Sequence, residues 1–291
     1  MALDVVIVSF RSRELLRECL HSLRERPPLR PLRVFVVDNA SGDGTVELVR
    51  GEFAWVDLVA APRNLGFAAA SNLAIRRGDG EYVLALNPDT RVLDGSLDRL
   101  LELMDARPEI GVCGCRLLRP DGSLDHAARR AFPTLLGTIG HFSGLGRGER
   151  APRALAQYRL PWVESGPVDA VNGAFMLMRR RALDEVGLFD EGYWMYFEDL
   201  DLCYRFHQAG WVVWYEPSAT VVHVKHGSSG DFRSARLNVA FHYGMFRFWR
   251  KHYARRRHVL VNLLAYAGLG AKLLGSLVRS GVARRLEARA R

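Results

Sequence analysis

Cysteine is scarce in this sequence, with four residues among 291 (Cys19, Cys113, Cys115 and Cys203). Their small number and scatter exclude the disulfide framework that holds small secreted domains together. Cys113 and Cys115 are predicted to point to one face of a strand, as core thiols rather than as metal or redox ligands. A reducing cytoplasmic compartment is therefore expected. The chain also begins directly with the strand-like LDVVIVSF, so no signal peptide is predicted.

Glycine-rich phosphate-binding motifs are missing as well. No GxGxxG follows the first strand, and no GxxxxGK[ST] occurs anywhere in the chain. A protein that binds a nucleoside diphosphate without such a loop needs another source of positive charge, such as a divalent cation. The 48% hydrophobic and 25% charged residues are typical of a folded protein, whose length allows one large α/β domain with or without an appendage.

Excess positive charge is lacking outside the C-terminal segment. From Arg247 to the end there are twelve Lys or Arg residues and one acid, Glu287, which leaves 29 basic and 31 acidic residues in 1–246. The body therefore has a formal charge of −2, and the tail has +11. A nucleic-acid-binding protein would carry basic residues across its binding face, so nucleic acid is not an expected partner.

The first half of the chain alternates apolar strands with helical stretches. Strand-like runs at 5–10, 33–39, 55–61 and 81–87 are each followed by a helical pattern, and the strand IGVCGCRLL closes the series. This alternation predicts an α/β fold with a mostly parallel sheet covered by helices. Such sheets bind nucleotides at the carboxyl ends of their strands.

The second half is less regular. A hairpin is predicted around Asp121-Gly122, and a long loop over the site at 132–162. A strand and a helix follow in VDAVNGAFMLMRRRAL, then a helix that ends at Gly210, then two strand-like runs in WVVWYEPSATVVHVKH. From residue 233 the pattern is helical. We therefore divide the chain into a domain at 1–232 and a C-terminal helical segment at 233–291.

One long apolar run, at 259–278, lies in this C-terminal segment. Its length approaches that of a bilayer span, but Asn262, Lys272 and several small residues interrupt it. Because basic clusters lie on both sides, we interpret it as a helix in an anionic membrane surface, which predicts a peripheral protein on the inner face of the cell membrane. The alternative is a C-terminal helix docked on the core.

Two carboxylates stand where predicted strands end, Asp38 as the last residue of VFVVD and Asp89 after the apolar run that stops at Asn87-Pro88. A single Asp in such a place often only caps the next turn. Two acids at the same edge of a nucleotide-binding sheet can instead have two separate functions. One can accept a hydrogen bond from the imide of uracil or thymine, and the other can hold Mg²⁺ or Mn²⁺ on a diphosphate.

Asp199 stands near the start of a helix, on the face that carries the apolar residues three, four and seven positions later. The helix macrodipole favours an ionised carboxylate there, which suits a general base, with simple capping as the alternative. Asp201 and Arg205 are predicted to pair on the solvent side. His223 ends a strand-like run and is either a buried structural histidine or a metal ligand, with His226 as a less favoured competitor.

Together, eight segments resemble the family 2 glycosyltransferases, particularly the bacterial rhamnosyltransferase-like group. They span about residues 3–230 in the family's order: VVIVSF, VVDNASGDGT, NLGFAAASN, LNPDT, VNGAFMLMRR, GLFDEGYWMYFEDLDLCYR, AGWVVWYEP and VVHVKHGSS. The resemblance implies a GT-A fold and an inverting transfer of a sugar from a nucleotide-sugar donor to a glycan or polyprenyl-linked acceptor in cell-envelope synthesis. L-Rhamnose from dTDP-L-rhamnose is the first expectation, and a UDP-sugar is the alternative.

The resemblance also implies roles for individual residues. Asp199 is expected to be the catalytic base. Since NPD stands where relatives have a DxD motif, Asp89 is expected to bind Mg²⁺ or Mn²⁺ together with His223, and Asn87 departs from the pattern. The donor nucleotide is expected at Val8, Ser9, Phe10, Asp38, Asn64, Gly66 and Asn87. The sugar or acceptor pocket is expected at Asn172, Gly173 and Glu198.

Two other functions would leave different residues. A sugar-nucleotide pyrophosphorylase is expected to have a glycine-rich basic loop after its first strand, whereas SFRSREL contains no glycine. A non-catalytic nucleotide-sugar or glycan-binding module on the same fold is expected to have lost Asp89 or Asp199, and both are present. The transferase is therefore the preferred interpretation.

Overall fold

The computed structural model describes residues 2–133, 164–224 and 234–290. The strands are β1 (Leu3–Ser9), β2 (Leu32–Asp38), β3 (Asp57–Ala60), β4 (Tyr82–Leu86), β5 (Thr90–Val92), β6 (Ile110–Leu118), β7 (Arg129–Arg130), β8 (Gly166–Pro167), β9 (Ala170–Val171), β10 (Phe175–Arg179) and β11 (Val212–His223). The α-helices are α1 (Arg13–Glu25), α2 (Thr45–Glu52), α3 (Phe67–Ile75), α4 (Ser96–Ala106), α5 (Arg180–Val186), α6 (Glu198–Gln208), α7 (Ala235–His252) and α8 (Val259–Ala290).

The main sheet has the strand order β3-β2-β1-β4-β10-β6-β11-β5, with β8 paired to β11. Strands β3, β2, β1, β4, β6 and β11 run in one direction, while β10, β5 and β8 run against their neighbours. The sheet is therefore mixed but mostly parallel, as predicted. The carboxyl ends of β1, β2, β4 and β11 consequently meet at one edge.

The apolar runs form the core because helices cover both faces of the sheet. Every residue of β1 and β4 is buried, as expected for strands without a solvent-facing side. Helix α1 buries the stripe that its sequence pattern predicted, including Leu16, Leu20 and Leu23. Cys113 and Cys115 are free thiols in the core, which confirms their predicted structural role.

Two irregular regions can be compared with their predictions. The hairpin around Gly122 is confirmed by the antiparallel bridge from Leu118 to Leu124. The stretch predicted as two strand-like runs is instead one strand, β11, whose pairing with β6 shifts register between Glu216 and Thr220. The loop predicted at 132–162 lies almost entirely outside the described residues.

Helices α7 and α8 form an antiparallel pair. Trp249 near the end of α7 donates to the Asn262 side chain near the start of α8 (2.9 Å), and Asn238 donates to the Ser280 hydroxyl (2.8 Å). Phe248 of α7 is buried in the domain core. Helix α7 therefore packs on the sheet domain, and α8 packs on α7.

The outer face of α8 is apolar and exposed. Its segment Val259–Val278 is long and apolar enough to cross a bilayer, with a mean hydropathy of 1.4, and none of it is buried inside the protein. Six large side chains on it are between 58% and 73% exposed: Val259, Leu260, Leu263, Leu264, Leu274 and Val278. The alternative prediction of a helix docked on the core is thus wrong for this segment.

Candidate active site

A cleft of about 690 Å³ opens at the carboxyl edge of the sheet. Register explains why distant segments meet there, since Ser9 pairs with Asp38 and the last residues of β4 lie alongside β1. Strand β10 runs the opposite way, so its beginning, preceded by Asn172 and Gly173, lies at this edge too. Predicted residues that line the cleft are Val8, Phe10, Asn64, Asn87, Asp89, Asn172, Gly173, Glu198, Asp199 and His223.

Asp89 and His223 form one wall of the cleft. His223 Nε2 lies 3.4 Å from Asp89 Oδ1, and its Nδ1 lies 3.6 Å from Asp125 Oδ2. Burial lowers the pKa of His223, but the two carboxylates outweigh burial and raise it to about 9. Asp125, which sequence reasoning missed, therefore favours the protonated form of His223 from the Nδ1 side of the ring. His226 lies outside the described residues.

Asp199 is held at the start of α6 by an unusual backbone. Tyr196 and Phe197, directly before the helix, have φ of +70° and +72°, the left-handed region that side chains other than glycine rarely adopt. Asp199 Oδ2 accepts a hydrogen bond from the Gly173 amide at 2.9 Å. A Cβ at Gly173 would lie 3.2 Å from that oxygen, so the glycine permits the close approach.

Two more side chains define the charge around Asp199. Arg130 of β7 forms an ion pair with Asp199 Oδ2 and also donates to the Val171 carbonyl (3.2 Å). Glu198, the neighbouring acid, lines the cleft and is as buried as Asp199, each being 6% exposed. Burial, as the larger cause, and the charge of Asp199 together raise the pKa of Glu198 to about 8.

The turn at 64–66 is fixed from two sides. Asn39, at the end of β2, accepts from the Leu65 amide (2.8 Å) and donates to the Gly66 carbonyl (3.2 Å). A Cβ at Gly66 would lie 2.3 Å from the Trp194 carbonyl oxygen, so only glycine fits there. Asn64 is thereby held in the cleft wall.

Three predicted residues, Ser9, Asp38 and Gly66, do not line this cleft but adjoin residues that do. Asp38 is buried, and its Oδ2 accepts from the Ser41 amide at 3.4 Å, as a turn-capping Asp would. Its Oδ1 is also buried and has no hydrogen-bond partner among the described residues. Oδ1 is thus an available acceptor, and the predicted role of Asp38 in binding the nucleobase stays a prediction.

The predicted pairing of Asp201 with Arg205 is confirmed, but its predicted location on the solvent side is wrong. The pair exists, at 2.8 Å, but Asp201 is completely buried. Lys251 and His252 of α7 also reach its carboxylate, each at 2.8 Å. Helix α7 therefore covers the face of α6 that the sequence pattern assigned to solvent.

Besides Asp125, sequence reasoning missed the site residues Arg130 and Asn39. Asn39 directly follows Asp38 in a strand-end segment, so its position was a usable signal. Arg130 is 69 residues from Asp199 in the chain, and nothing in its local pattern indicates the contact.

Comparison with known proteins identifies the family of this chain. The sequence profile described as glycosyl transferase family 2 matches residues 4–187. The chain belongs to glycosyl transferase family 2. This glycosyltransferase is 36% identical to the N-acetylglucosaminyl-diphospho-decaprenol L-rhamnosyltransferase of Mycobacterium tuberculosis, over 74% of its own length and 73% of the relative's. It is 28% identical to the rhamnosyltransferase WbbL of Escherichia coli, over 68% and 73% of the two chains.

Solved structures show the same fold. GalNAc-T7, solved with UDP, GalNAc and Mn²⁺, superposes with a TM-score of 0.62 at 16% identity, over 86% of this glycosyltransferase and 48% of that longer chain. The mannosyltransferase PcManGT from Pyrobaculum calidifontis, solved with GDP-Man and Mn²⁺, gives 0.58 at 19% identity, over 99% and 75%. The fold is therefore the GT-A fold, as predicted.

Asp89 and His223 are spaced suitably to bind one divalent cation together. Asp89 Oδ1 is buried and accepts no hydrogen bond within the described residues. Two ligands at about 2.1 Å from one octahedral ion lie roughly 3 Å apart, close to the 3.4 Å between Asp89 Oδ1 and His223 Nε2. Since no group of three His, Cys, Asp or Glu suited to a metal occurs in the described part of the chain, the remaining ligands would have to come from a bound diphosphate and water.

Proposed function

We propose that this glycosyltransferase is inverting and metal-dependent, and that it transfers L-rhamnose from dTDP-L-rhamnose to a hydroxyl group of a lipid-linked acceptor in cell-envelope glycan synthesis. The observation that carries the proposal is a single cleft lined by the Asp89–His223 pair and by the buried carboxylate of Asp199. The two relatives named as rhamnosyltransferases support the choice of sugar.

Asp199 is proposed as the general base. Its carboxylate takes the proton of the acceptor hydroxyl, whose oxygen forms a bond to the anomeric carbon of the donor sugar as the bond to the nucleoside diphosphate breaks on the opposite face. A single displacement of this kind inverts the anomeric configuration. The Gly173 amide holds Asp199 Oδ2 in place for the transfer.

Asp89 and His223 are proposed to hold Mg²⁺ or Mn²⁺. The cation would supply positive charge to the departing diphosphate. In other nucleotide-binding proteins a glycine-rich loop stabilises the phosphates, and this sequence has no such motif. Val8, Phe10, Asn64 and Asn87 line the part of the cleft assigned to the nucleotide. Asp38 is retained in the proposal as the acceptor for the base N–H, because its Oδ1 has no partner among the described residues.

A lipid-linked acceptor fits the exposed apolar face of α8. The M. tuberculosis relative is named for an acceptor that ends in diphospho-decaprenol. The exposed leucines of α8 and the exposed Arg255, Arg256 and Arg257 before it suit an anionic bilayer surface. We therefore place the enzyme peripherally on the inner face of the cell membrane.

The first experiment is a thermal-shift series with dTDP, UDP and GDP, each with Mn²⁺ or EDTA. A ligand that binds only the folded protein raises the Tm by mass action. We expect dTDP with Mn²⁺ to stabilise the wild type and Asp89→Ala to lose the effect. Asp94→Ala, whose side chain is 85% exposed, is the matched control and should respond like the wild type.

A transfer assay then identifies the donor. With a short prenyl-diphosphate-linked N-acetylglucosamine as acceptor, dTDP-L-rhamnose should give product and UDP-sugars should not. Stabilisation by UDP alone, with transfer from a UDP-sugar, would replace the proposed donor. Absence of any nucleotide response in the wild type would overturn the transferase site and favour the alternative of a glycan-binding module.

A further inference from the structure

Two neighbouring carboxyl groups face the same cleft at the start of α6. Glu198 and Asp199 are both 6% exposed, and both line the cleft. Two carboxylates so close together in a buried place repel each other, so ionising both is costly. Only one of the two carboxyl groups is therefore expected to be ionised, unless cations neutralise both.

The surroundings treat the two acids differently. Asp199 Oδ2 accepts from the Gly173 amide and pairs with Arg130, and its Oδ1 accepts from the Leu200 amide at 2.8 Å. Glu198 has no ion pair in the described part of the chain, and its buried Oε2 finds no hydrogen-bond partner there. Three hydrogen-bond donors thus contact Asp199, whereas one oxygen of Glu198 is available to a ligand that binds in the cleft.

We propose that Arg130 fixes opposite protonation states on this pair: Asp199 is the ionised base, and Glu198 is a neutral acid that donates a hydrogen bond to an oxygen of the bound sugar or acceptor. This proposal rests on the proposed function. Arg130 is a positioning residue in it, because it acts through Asp199, and Glu198 is a substrate-binding residue.

The charged groups around the pair are consistent with this division. Burial, then the charge of Asp199, raises the pKa of Glu198 to about 8, so Glu198 is mostly neutral at neutral pH. Asp201, on the same helix, is already neutralised by Arg205, Lys251 and His252.

The other charged or titratable side chains that line the cleft are Arg11, Asp89, Tyr196, His223 and Arg236. Arg11 lies over the ring of Phe10 (5.3 Å to the centroid). Arg236 of α7 stacks over the ring of Trp194 (4.0 Å to the centroid). Asp89 and His223 pair with each other. Arg130 is therefore the cation that distinguishes the two acids, within the residues the structure describes.

A neutral Glu198 also has a chemical advantage. Asp199, when ionised, can only accept hydrogen bonds, whereas a protonated carboxyl can donate one. Sugar hydroxyl and ring oxygens are acceptors, and a buried donor aimed at one of them discriminates strongly against a ligand that lacks it. Their different environments thereby make Asp199 a hydrogen-bond acceptor and Glu198 a hydrogen-bond donor.

The first test compares the pH dependence of kcat/KM for the wild type, Glu198→Gln and Glu198→Ala. Above about pH 8 the wild type should lose activity roughly tenfold per pH unit, because Glu198 ionises. Glu198→Gln keeps a neutral donor of the same shape, so it should lose less than tenfold in kcat/KM at neutral pH and lack this alkaline decline. Glu198→Ala should lose about a hundredfold. A Glu198→Gln variant as inactive as Glu198→Ala would overturn the neutral-donor role.

The second test addresses Arg130. Without the guanidinium the two acids lose the cation that distinguishes them, so the shape of the pH profile should change in Arg130→Gln, and Arg130→Lys should partly restore it. Arg119→Gln, an exposed arginine outside the cleft, should leave the profile unchanged. If Arg130→Gln lowers the rate by one factor at every pH, its role is merely structural and the proposal fails.

A third measurement does not depend on activity. In protein labelled with ¹³C at the glutamate carboxyl carbon, the Glu198 signal is identified by its loss in Glu198→Gln. We expect that signal to titrate near pH 8, and titration in the range of a surface glutamate would refute the neutral acid. Failure of the proposed function is seen separately, as a wild type that responds to no nucleotide and transfers no sugar.

Discussion

At the residue scale, the proposed base makes the sharpest prediction. Asp199→Asn keeps the shape of the side chain but cannot accept the proton, so kcat should fall about 10²- to 10⁴-fold. Nucleotide-dependent stabilisation should remain, because Asp199 is not among the residues assigned to the donor. Transfer assays and thermal shift measure the two effects.

The control for this substitution is Asp184→Asn, an exposed aspartate on α5. It should match the wild type in both assays. If Asp199→Asn lost nucleotide binding together with activity, the residue would hold the site together rather than act as the base.

Asn39 gives a second residue-scale prediction. Its side chain joins the end of β2 to the 64–66 turn through the Leu65 amide and the Gly66 carbonyl. Asn39→Ala removes the partner of the half-buried Leu65 amide and one of the two donors to the Gly66 carbonyl, which should lower the free energy of unfolding by about 1–3 kcal/mol. Because Asn64 lies in that turn, the Tm shift caused by the nucleotide should also shrink.

Urea unfolding and nucleotide titration check both parts of this prediction. Asn39→Asp keeps an oxygen for the Leu65 amide and should fall between the wild type and Asn39→Ala. A fully stable Asn39→Ala variant with normal nucleotide binding would show that the turn needs no support from β2.

At the scale of elements, the joint between α6 and α7 decides how firmly the catalytic helix is held. Asp201 of α6 is completely buried and contacts Arg205, Lys251 and His252. Asp201→Asn removes the charge that these groups neutralise, and the expected loss is on the order of 3 kcal/mol in the free energy of unfolding. Asp57→Asn, in an exposed ion pair with Arg77, should cost less than about 1 kcal/mol.

The same joint predicts a pH dependence of stability. Burial raises the pKa of Asp201, but His252, Arg205 and Lys251 outweigh it and hold the pKa well below its usual range. A group with a lowered pKa stabilises the fold above its unfolded value of about 3.9, and this contribution is lost as the pH falls below that value. The difference in unfolding free energy between the wild type and Asp201→Asn should therefore be constant near neutral pH and shrink below about pH 4.

Unfolding curves at a series of pH values test this sign. A difference that grows toward acid pH would contradict the assignment, because it would mean that Asp201 stabilises the fold in its protonated form. Helix content of both variants, measured by circular dichroism at each pH, controls for loss of α7 itself.

This joint also shows where the sequence pattern stops being informative. The strands were predictable because continuous apolar runs have to be covered on both faces, and β1 and β4 are buried throughout. The helical pattern of α6 placed Asp199 on its inward face for the same local reason. It could not place Asp201, since the helix that covers Asp201 comes some fifty residues later in the chain. The pairing of Arg130 with Asp199 is non-local in the same way.

At the scale of the whole molecule, the charge of the C-terminal segment has two uses. Arg247 and Lys251 pair with Asp190, so part of the tail's positive charge attaches α7 to the domain. Arg255, Arg256 and Arg257 are exposed at the start of the apolar face of α8. Because Arg247 and Lys251 are paired with acids of the domain, the formal +11 overstates the charge that a membrane would meet.

The membrane proposal can be tested by flotation with vesicles. The full chain should bind vesicles rich in phosphatidylglycerol and bind neutral phosphatidylcholine vesicles more weakly, because each basic residue near the surface contributes about 1 kcal/mol. Leu263→Glu with Leu264→Glu places two charges on the apolar face and should reduce binding at least tenfold. Arg255→Gln with Arg256→Gln should reduce only the dependence on anionic lipid.

Salt concentration distinguishes the electrostatic from the apolar contribution to membrane binding. It also distinguishes a peripheral enzyme from one with a spanning helix. Electrostatic attraction weakens as the Debye length shortens below about 8 Å, so a peripheral enzyme should be released from vesicles at high salt, whereas a spanning helix should stay. Nucleotide-dependent thermal stabilisation in the Leu263→Glu, Leu264→Glu variant should match the wild type, since α8 packs on α7 and none of the α8 side chains that the structure describes lines the cleft. If the variant retained wild-type vesicle binding, the exposed leucines would have no part in membrane contact, and the apolar face of α8 would need another partner.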